Sequence, residues 1–261
     1  AKQVIIQGIR EAERGMVFDA FSSKEHEILT GTVLRIEPAT GDMTIRIGGG
    51  NDKTDALLSG SEQVRTERYK EGDMIRVYVV EVRRSNRGPQ VIVSRTHPGL
   101  VKRLFELEVP EIASGAVEVK SIAREAGSRT KIAVYAAEAN VDPVGACVGP
   151  RGGRVGAVVN ELHGEKMDIV VWSEDPCQFV ASALSPADVV SVTLLPGMGK
   201  ACRVIVPDDQ LSLAIGKEGQ NARLAARLTG YKIDIKPASQ AAEFEQPEEE
   251  AEAPAEATDA A

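Results

Sequence analysis

The sequence predicts a multidomain protein in which a small β barrel precedes two units that mix α-helices with β-strands. Three observations indicate this organisation. Short alternating strands with glycine-containing turns occupy residues 23–97, a mixed α/β pattern begins at residue 98, and the second half of the chain contains an internal repeat. By length alone, 261 residues suggest about two domains.

Residues 1–22 are predicted to form a helix that leads into the barrel. Val4, Ile5, Ile9 and Ala12 fall near one face at helical spacing. The helix begins without a convincing capping residue. We therefore expect the chain to be the remnant of a longer protein.

The barrel prediction depends on four strands, at residues 28–36, 43–47, 74–84 and 90–95. Their apolar residues alternate with polar ones, and the turns between them contain glycine, which is typical of an antiparallel sheet. A short sheet of this kind fits a closed barrel of the oligonucleotide-binding type. Four arginines on these strands or their connection form either a solvated face or a groove that follows phosphates: Arg46, Arg83, Arg84 and Arg87.

The internal repeat lies in the second half of the chain. The stretch DPVGACVGPRGGRV begins at Asp142, and DQLSLAIGKEGQNARL begins at Asp209. When they are aligned, Gly149 matches Gly216 and Gly152 matches Gly219. Each copy is predicted to form a helix, a Gly-x-x-Gly loop, a second helix, a turn and a strand. A hairpin precedes each copy, at residues 117–136 and 189–206.

The glycine loops do not fit a nucleotide cofactor or a catalytic site. A Walker loop would need a glycine at Leu211 and a serine or threonine at Glu218, and a dinucleotide-binding fingerprint would have to follow a strand. No pair of a nucleophile with histidine and no carboxylate pair recurs between the copies. The prediction is therefore a protein that is not an enzyme and has no cofactor.

The sequence also lacks the patterns of a metal site, a disulfide framework or a membrane span. The three cysteines are odd in number and far apart, and the three histidines stand alone. No run of about 18 apolar residues is present, and the first residues mix charges unlike a signal peptide. We expect no bound metal and no membrane contact, and we expect reduced cysteines in the cytoplasm.

A tight glycine loop at the start of a helix suits single-stranded RNA. Backbone N–H groups there carry partial positive charge, and glycine allows the sugar-phosphate chain to approach closely. KH domains use a Gly-x-x-Gly loop in this way to clamp four nucleotides. Two such loops in matched contexts, next to an oligonucleotide-binding barrel, predict an RNA-binding protein.

The last segment explains the net charge of −8. Residues 238–261 contain eight acidic residues and no basic one, and removing these from the total of 39 leaves 31, equal to the 31 lysines and arginines. The segment is predicted to be a disordered acidic tail. It either solubilises the protein or competes with RNA for a basic face.

Four stretches of the sequence resemble the NusA family of bacterial transcription elongation, termination and antitermination factors. They are residues 93–112, 117–134, 142–155 and 213–235, and the resemblance extends over about residues 1–237. It implies an S1-type OB-fold β-barrel followed by two type II KH domains. The implied boundaries are 1–22 for the connecting helix, 23–97 for S1, 98–175 and 176–237 for the KH domains, and 238–261 for the tail.

The resemblance also implies partners and contact residues. The expected partners are nascent or leader RNA, RNA polymerase through the N-terminal domain, and other elongation and antitermination factors. The RNA-contacting candidates are both loops and the side chains that follow them: Gly149, Pro150, Arg151, Gly152, Arg154, Gly216, Lys217, Glu218, Gly219, Gln220, Asn221 and Arg223. Arg154 and Arg223 are either phosphate contacts or ordinary helix-surface charges. Pro150 offers no N–H, and Glu218 places a negative charge beside Lys217.

Two other functions remain open from the sequence. S1 and KH domains also form the RNA-capture end of a phosphorolytic exoribonuclease, although there one KH domain comes before the S1 domain. They occur as well in ribosome-associated RNA-binding proteins. Both alternatives retain RNA binding, but the first would make the chain part of an enzyme and the second would make the ribosome its partner.

Overall fold

Five strands close into a barrel in the computed structural model, which describes residues 2–50, 53–85 and 88–243. They are β1 (Ile28–Ile36), β2 (Met43–Ile47), β3 (Thr54–Leu58), β4 (Met74–Ser85) and β5 (Gly88–Ser94), with a 3-10 turn at Gly60–Glu62. Their order is β1-β2-β3-β5-β4, and β4 pairs with β1 to complete the barrel. Strand β3 was not predicted from the sequence, and it pairs in parallel with β5.

The first helix, α1 (Lys2–Ser22), packs into the barrel core through residues near its C-terminal end. Phe21 is fully buried in the barrel core, and Arg84 on β4 lies over the ring of Phe18 at 4.4 Å. The apolar face predicted at its start is uncovered, since Val4 is 73% exposed and Ile5 63%. The helix prediction is confirmed, and the last turns of α1 pack into the hydrophobic core of the barrel.

The first KH domain follows the barrel directly. It contains α2 (Pro98–Glu108), α3 (Pro110–Ala113), β6 (Val117–Glu125), β7 (Arg129–Ala136), α4 (Pro143–Val148), α5 (Gly153–Glu161) and β8 (Lys166–Val171). Strand β7 pairs antiparallel with β6 and parallel with β8. The helices cover one face of this sheet, where Ile132 and Val134 are fully buried.

The second KH domain repeats this arrangement, which confirms the repeat. It contains α6 (Pro176–Ala183), β9 (Ser191–Leu194), β10 (Ala201–Val206), α7 (Leu211–Ile215), α8 (Gln220–Thr229) and β11 (Lys232–Pro237), with a 3-10 turn at Asp208–Gln210. The central strand β10 again pairs antiparallel with the strand before it and parallel with the strand after it. The Lys131–Asp168 ion pair of the first sheet matches the Arg203–Asp234 pair of the second.

Buried charges join the barrel to the first KH domain. Arg95, which follows β5, is fully buried and donates to Glu67 of the barrel and to Glu161 at the end of α5. Arg124 on β6 makes a second buried pair with Glu165 and also donates to the backbone carbonyl of Arg95. Directional hydrogen bonds of this kind fix the orientation of the two domains as well as their contact.

The two KH domains share one hydrophobic core. The face of the first sheet that is turned away from its own helices presents Ala123, Ala133 and Val170, and these pack with Phe179 and Val180 of α6. Lys131 is buried beneath this contact and donates to the carbonyl of Ser185 at 2.6 Å. Only residues 173–175 separate β8 and Trp172 from α6, so the two domains form one body.

The boundary predicted for the disordered tail requires a correction. Residues Ala238–Glu243 form a 3-10 turn that lies on β10 and β11, and the backbone N–H of Ser239 donates to Asp208 at 2.9 Å. The first six residues of the predicted tail therefore belong to the second KH domain. Residues 244–261 lie outside the described part of the chain. Within the described part, no helix is both long and apolar enough to cross a membrane.

Candidate nucleic-acid interface

The two Gly-x-x-Gly loops have the same backbone conformation. Gly149 has φ 71° and ψ 174°, and its counterpart Gly216 has φ 77° and ψ 171°. The third residues, Arg151 and Glu218, are left-handed at φ 54° and 53°. The loops are 3-10 turns (Pro150–Gly152 and Lys217–Gly219) that lead straight into α5 and α8. Identical geometry from different middle residues indicates that the shape itself is required.

Close packing explains why each loop begins with glycine. A Cβ atom at Gly216 would lie 2.8 Å from the Cβ of Asn221, and one at Gly149 would lie 2.5 Å from the Cγ of Arg154. Both glycines also have positive φ, which other residues rarely adopt. Each loop is therefore held tightly against the helix that follows it, while its two middle residues are exposed to solvent.

Exposed apolar side chains lie beside the second loop and at the end of β8. Leu213 and Ile215 on α7 are 44% and 38% exposed, and Val171 at the end of β8 is 45% exposed. Unpaired bases need apolar surface next to a phosphate-binding loop. In the second KH domain, α7 and the loop that follows it provide that combination.

A cleft of about 590 Å³ opens between the second loop and the first KH domain. Gly216 and Lys217 lie on one side of the cleft, and Ser128, Arg129 and Lys166 lie on the other. Arg129 and Lys166 are paired neighbours at the start of β7 and β8. The second Gly-x-x-Gly loop therefore faces basic residues of the first KH domain. These basic residues were not among the RNA contacts predicted from the sequence.

Three domain families match the chain in the order that the fold shows. Residues 22–94 match the S1 RNA binding domain, residues 95–172 the NusA-like first KH domain and residues 176–243 the NusA-like second KH domain. A "Transcription termination/antitermination protein NusA" from Mycobacterium tuberculosis is 52% identical over 90% of this chain and 69% of its own length. The chain belongs to the NusA family.

Two other NusA relatives are similar over nearly the whole chain. The proteins of Halalkalibacterium halodurans and Bacillus subtilis are each 57% identical, over 96% and 94% of this chain respectively. In both cases the match covers 64% of the relative's own length. This chain therefore spans about two thirds of the length of these NusA proteins. The three domain matches confirm the predicted fold of an S1 barrel with two KH domains.

Asn221 has a packing role in this NusA-family chain. Asn221 is only 3% exposed, and its amide donates to the carbonyls of Ala214 and Leu184, each at 3.0 Å. The residue lies beneath Gly216, ties α8 to α7 and lines the cleft beside the second loop with the little surface it exposes. An RNA contact at Asn221 stays a prediction, and its observed partners are backbone carbonyls of the second KH domain.

Arg154 occupies the position in the first repeat that Asn221 occupies in the second. Its guanidinium donates to the carbonyl of Ala146 at 2.7 Å and to Glu111 at 2.8 Å. Both residues thus fasten the second helix to the helix before the loop. Arg154 remains 27% exposed, and a phosphate contact there stays a prediction.

Gln220 and Arg223 contact the first KH domain. Gln220 donates to Ser128 at 2.7 Å, and both side chains donate to Glu125 at the end of β6. The hydrogen bond from Arg223 lowers the pKa of Glu125, against the opposing effect of burial and with further help from Gln220. Contact of these two residues with RNA stays a prediction, and their observed partners lie across the domain interface.

The barrel arginines are paired with acidic or aromatic neighbours. Arg46 makes two hydrogen bonds to Asp55 on β3, and Arg83 pairs with Glu81 at 2.7 Å. Arg84 lies 3.9 Å from Asp19 besides its contact with Phe18. Arg87 lies outside the described residues. This pairing favours a solvated, charge-balanced face over a phosphate-binding groove on the barrel of this NusA-family chain.

Proposed function

We propose that the KH pair of this chain binds one unpaired RNA strand across both Gly-x-x-Gly loops. The observation that carries the proposal is the identical conformation of two exposed loops on a single rigid body. Each KH loop accommodates about four nucleotides. A strand held by the first loop is therefore presented to the second at high effective concentration.

The chemistry of the loops supports phosphate binding with modest electrostatic attraction. Arg151 and Lys217 are the exposed cations, and Glu218 is an exposed anion beside Lys217. Each loop precedes the N-terminus of a helix, where backbone N–H groups favour anions. The first loop has one such donor fewer, because Pro150 lacks an N–H. Apolar contacts with bases therefore contribute a large part of the affinity.

The biological role that we propose is that of the NusA relatives, which are named transcription termination/antitermination proteins. The bound strand would be nascent or leader RNA, and the effect would be on pausing, termination and antitermination by bacterial RNA polymerase in the cytoplasm. RNA polymerase would be contacted mainly through the part of these proteins that the present chain does not span. Other elongation and antitermination factors are further expected partners.

The same proposal treats the chain as a binding protein that catalyses no reaction. The exoribonuclease alternative requires a KH domain before the S1 domain, whereas here the S1 barrel comes first and both KH domains follow. Incubation with a 5′-labelled unpaired RNA and inorganic phosphate should leave the RNA at full length. Shortening of the RNA that depends on phosphate would favour the exoribonuclease reading.

Titration with unpaired RNAs of increasing length tests the binding proposal. We expect affinity to rise steeply between about four and about ten nucleotides and then to level off, because the second loop is engaged only by the longer strands. A hairpin in which the same nucleotides are paired serves as the control and should bind weakly. Equal affinity for RNAs of four and ten nucleotides would contradict the proposal of a single surface.

A further inference from the structure

One carboxylate connects the two KH domains next to the second Gly-x-x-Gly loop. We call the two Gly-x-x-Gly loops, Gly149–Gly152 and Gly216–Gly219, the first and second clamp loops. Glu125 is the last residue of β6 in the first domain, and its side chain is 22% exposed. It accepts hydrogen bonds from Gln220 at 2.9 Å and from Arg223 at 2.6 Å. Arg227 lies a further 3.8 Å away. All three partners belong to α8 of the second domain.

These partners lie on one face of α8, because they are spaced three and then four residues apart. Helix α8 begins directly after Gly219, the last residue of the second clamp loop. Arg223 also donates to the carbonyl of Glu218 at 3.1 Å, within that loop. Glu125 is therefore linked through one side chain to the loop that we propose to hold RNA.

The polar contact and the apolar core have different roles in this interface. Burial of Ala133, Val170 and Phe179 holds the domains together, but apolar contact is not directional and tolerates small shifts. Two hydrogen bonds to one charged carboxylate fix both distance and angle. The polar contact therefore constrains the orientation of α8, and with it the position of Gly216–Gly219, more tightly than the apolar core alone.

We propose that Glu125 is a positioning residue that fixes the spacing between the two clamp loops and so determines how the second loop engages a strand held by the first. The inference rests on the proposed function and goes beyond it, because it assigns the register between the loops to one side chain that is itself not an RNA ligand. RNA that reaches only one loop should be insensitive to Glu125. RNA that reaches both should be sensitive.

The test compares Glu125→Ala with the unchanged chain in RNA titrations at two lengths. We expect the affinity for a ten-nucleotide unpaired RNA to fall about tenfold, the size expected for losing charge-assisted hydrogen bonds. The affinity for a four-nucleotide RNA should stay within about twofold of the original value, since one loop suffices for it. Glu125→Gln retains an acceptor oxygen for Arg223 and should give a smaller loss.

Glu118→Ala is the matched control, because Glu118 is on the same strand and pairs only with Lys120 among the ion pairs of the described residues. It should change neither affinity. Unchanged affinity of Glu125→Ala for both RNAs would overturn the inference. An equal change in affinity at both lengths would also overturn it, because that would indicate simple charge repulsion or loss of the loop itself. Failure of the unchanged chain to bind either RNA would instead overturn the proposed function.

Discussion

Aspartate in place of Pro150, Arg151, Lys217 and Glu218 is expected to lower the affinity for a ten-nucleotide RNA by at least about a hundredfold. Two cations, one proline and one anion become four anions, at sites that we propose to face phosphates. The fold should be unaffected, because all four residues are exposed. Aspartate also tolerates the left-handed conformation of Arg151 and Glu218 better than most residues do.

Fluorescence anisotropy with a labelled unpaired RNA would measure the loss, with thermal unfolding as the check on folding. The variant Arg35→Asp with Lys53→Asp is the control, because both residues are exposed on the barrel and their substitution also reverses two positive charges. It should change affinity by no more than about threefold, because neither residue belongs to a Gly-x-x-Gly loop or lines the cleft beside the second loop. A folded loop variant with unchanged affinity would remove the assignment of the loops as RNA clamps.

Replacing Arg124 by methionine is expected to cost about 3–5 kcal/mol of unfolding free energy, the range for breaking a buried ion pair. Arg124 and Glu165 have side-chain exposures of 1% and 0%. The guanidinium also donates to the backbone carbonyls of Arg95 and His97, at 2.8 and 3.0 Å. The substitution leaves Glu165 buried without its cation and removes a link between barrel and first KH domain.

The same pair has a predictable dependence on pH. Burial alone would raise the pKa of Glu165, but hydrogen bonds from Arg124, Thr130 and the backbone of Gly127 outweigh it and lower that pKa. The stabilisation from Glu165 is therefore complete above the carboxyl pKa of the unfolded chain, about 4.3, and is lost as pH falls further. Arg124→Met should flatten this loss on acidification.

Urea unfolding at several pH values would measure both effects. Arg35→Met provides the comparison, because Arg35 pairs with Glu37 on the exposed barrel surface. It should cost less than about 1 kcal/mol. Similar losses for Arg124→Met and Arg35→Met at neutral pH would show that the buried pair does not stabilise the junction.

The sequence predicted strands in which apolar and polar residues alternate clearly, and it missed β3, in which they do not. Strands β1 and β2 begin and end where their alternation predicts, and both predicted hairpins are present. Strand β3, TDALL, is short and follows a run of glycines, so its pattern resembles a loop. Its place is determined by pairing with β2 and β5, which depends on the closed barrel and on no local signal.

The loops could be recognised from the sequence, whereas the roles of their neighbours could not. Gly149 and Gly216 were identified by repetition, and their shared dihedral angles agree with that reading. The burial of Asn221 follows from packing under Gly216. The contact of Gln220 with Glu125 joins residues that are 95 positions apart in the chain. Tertiary contacts of this kind leave no trace in a single sequence.

Photocrosslinking of one ten-nucleotide unpaired RNA, with a reactive base placed at each position in turn, tests whether a single strand spans both loops. We predict one RNA per chain, with crosslinks near Gly149–Gly152 from one end of the strand and near Gly216–Gly219 from the other. Crosslinks to a single loop from every position, or two RNA molecules bound per chain, would contradict it.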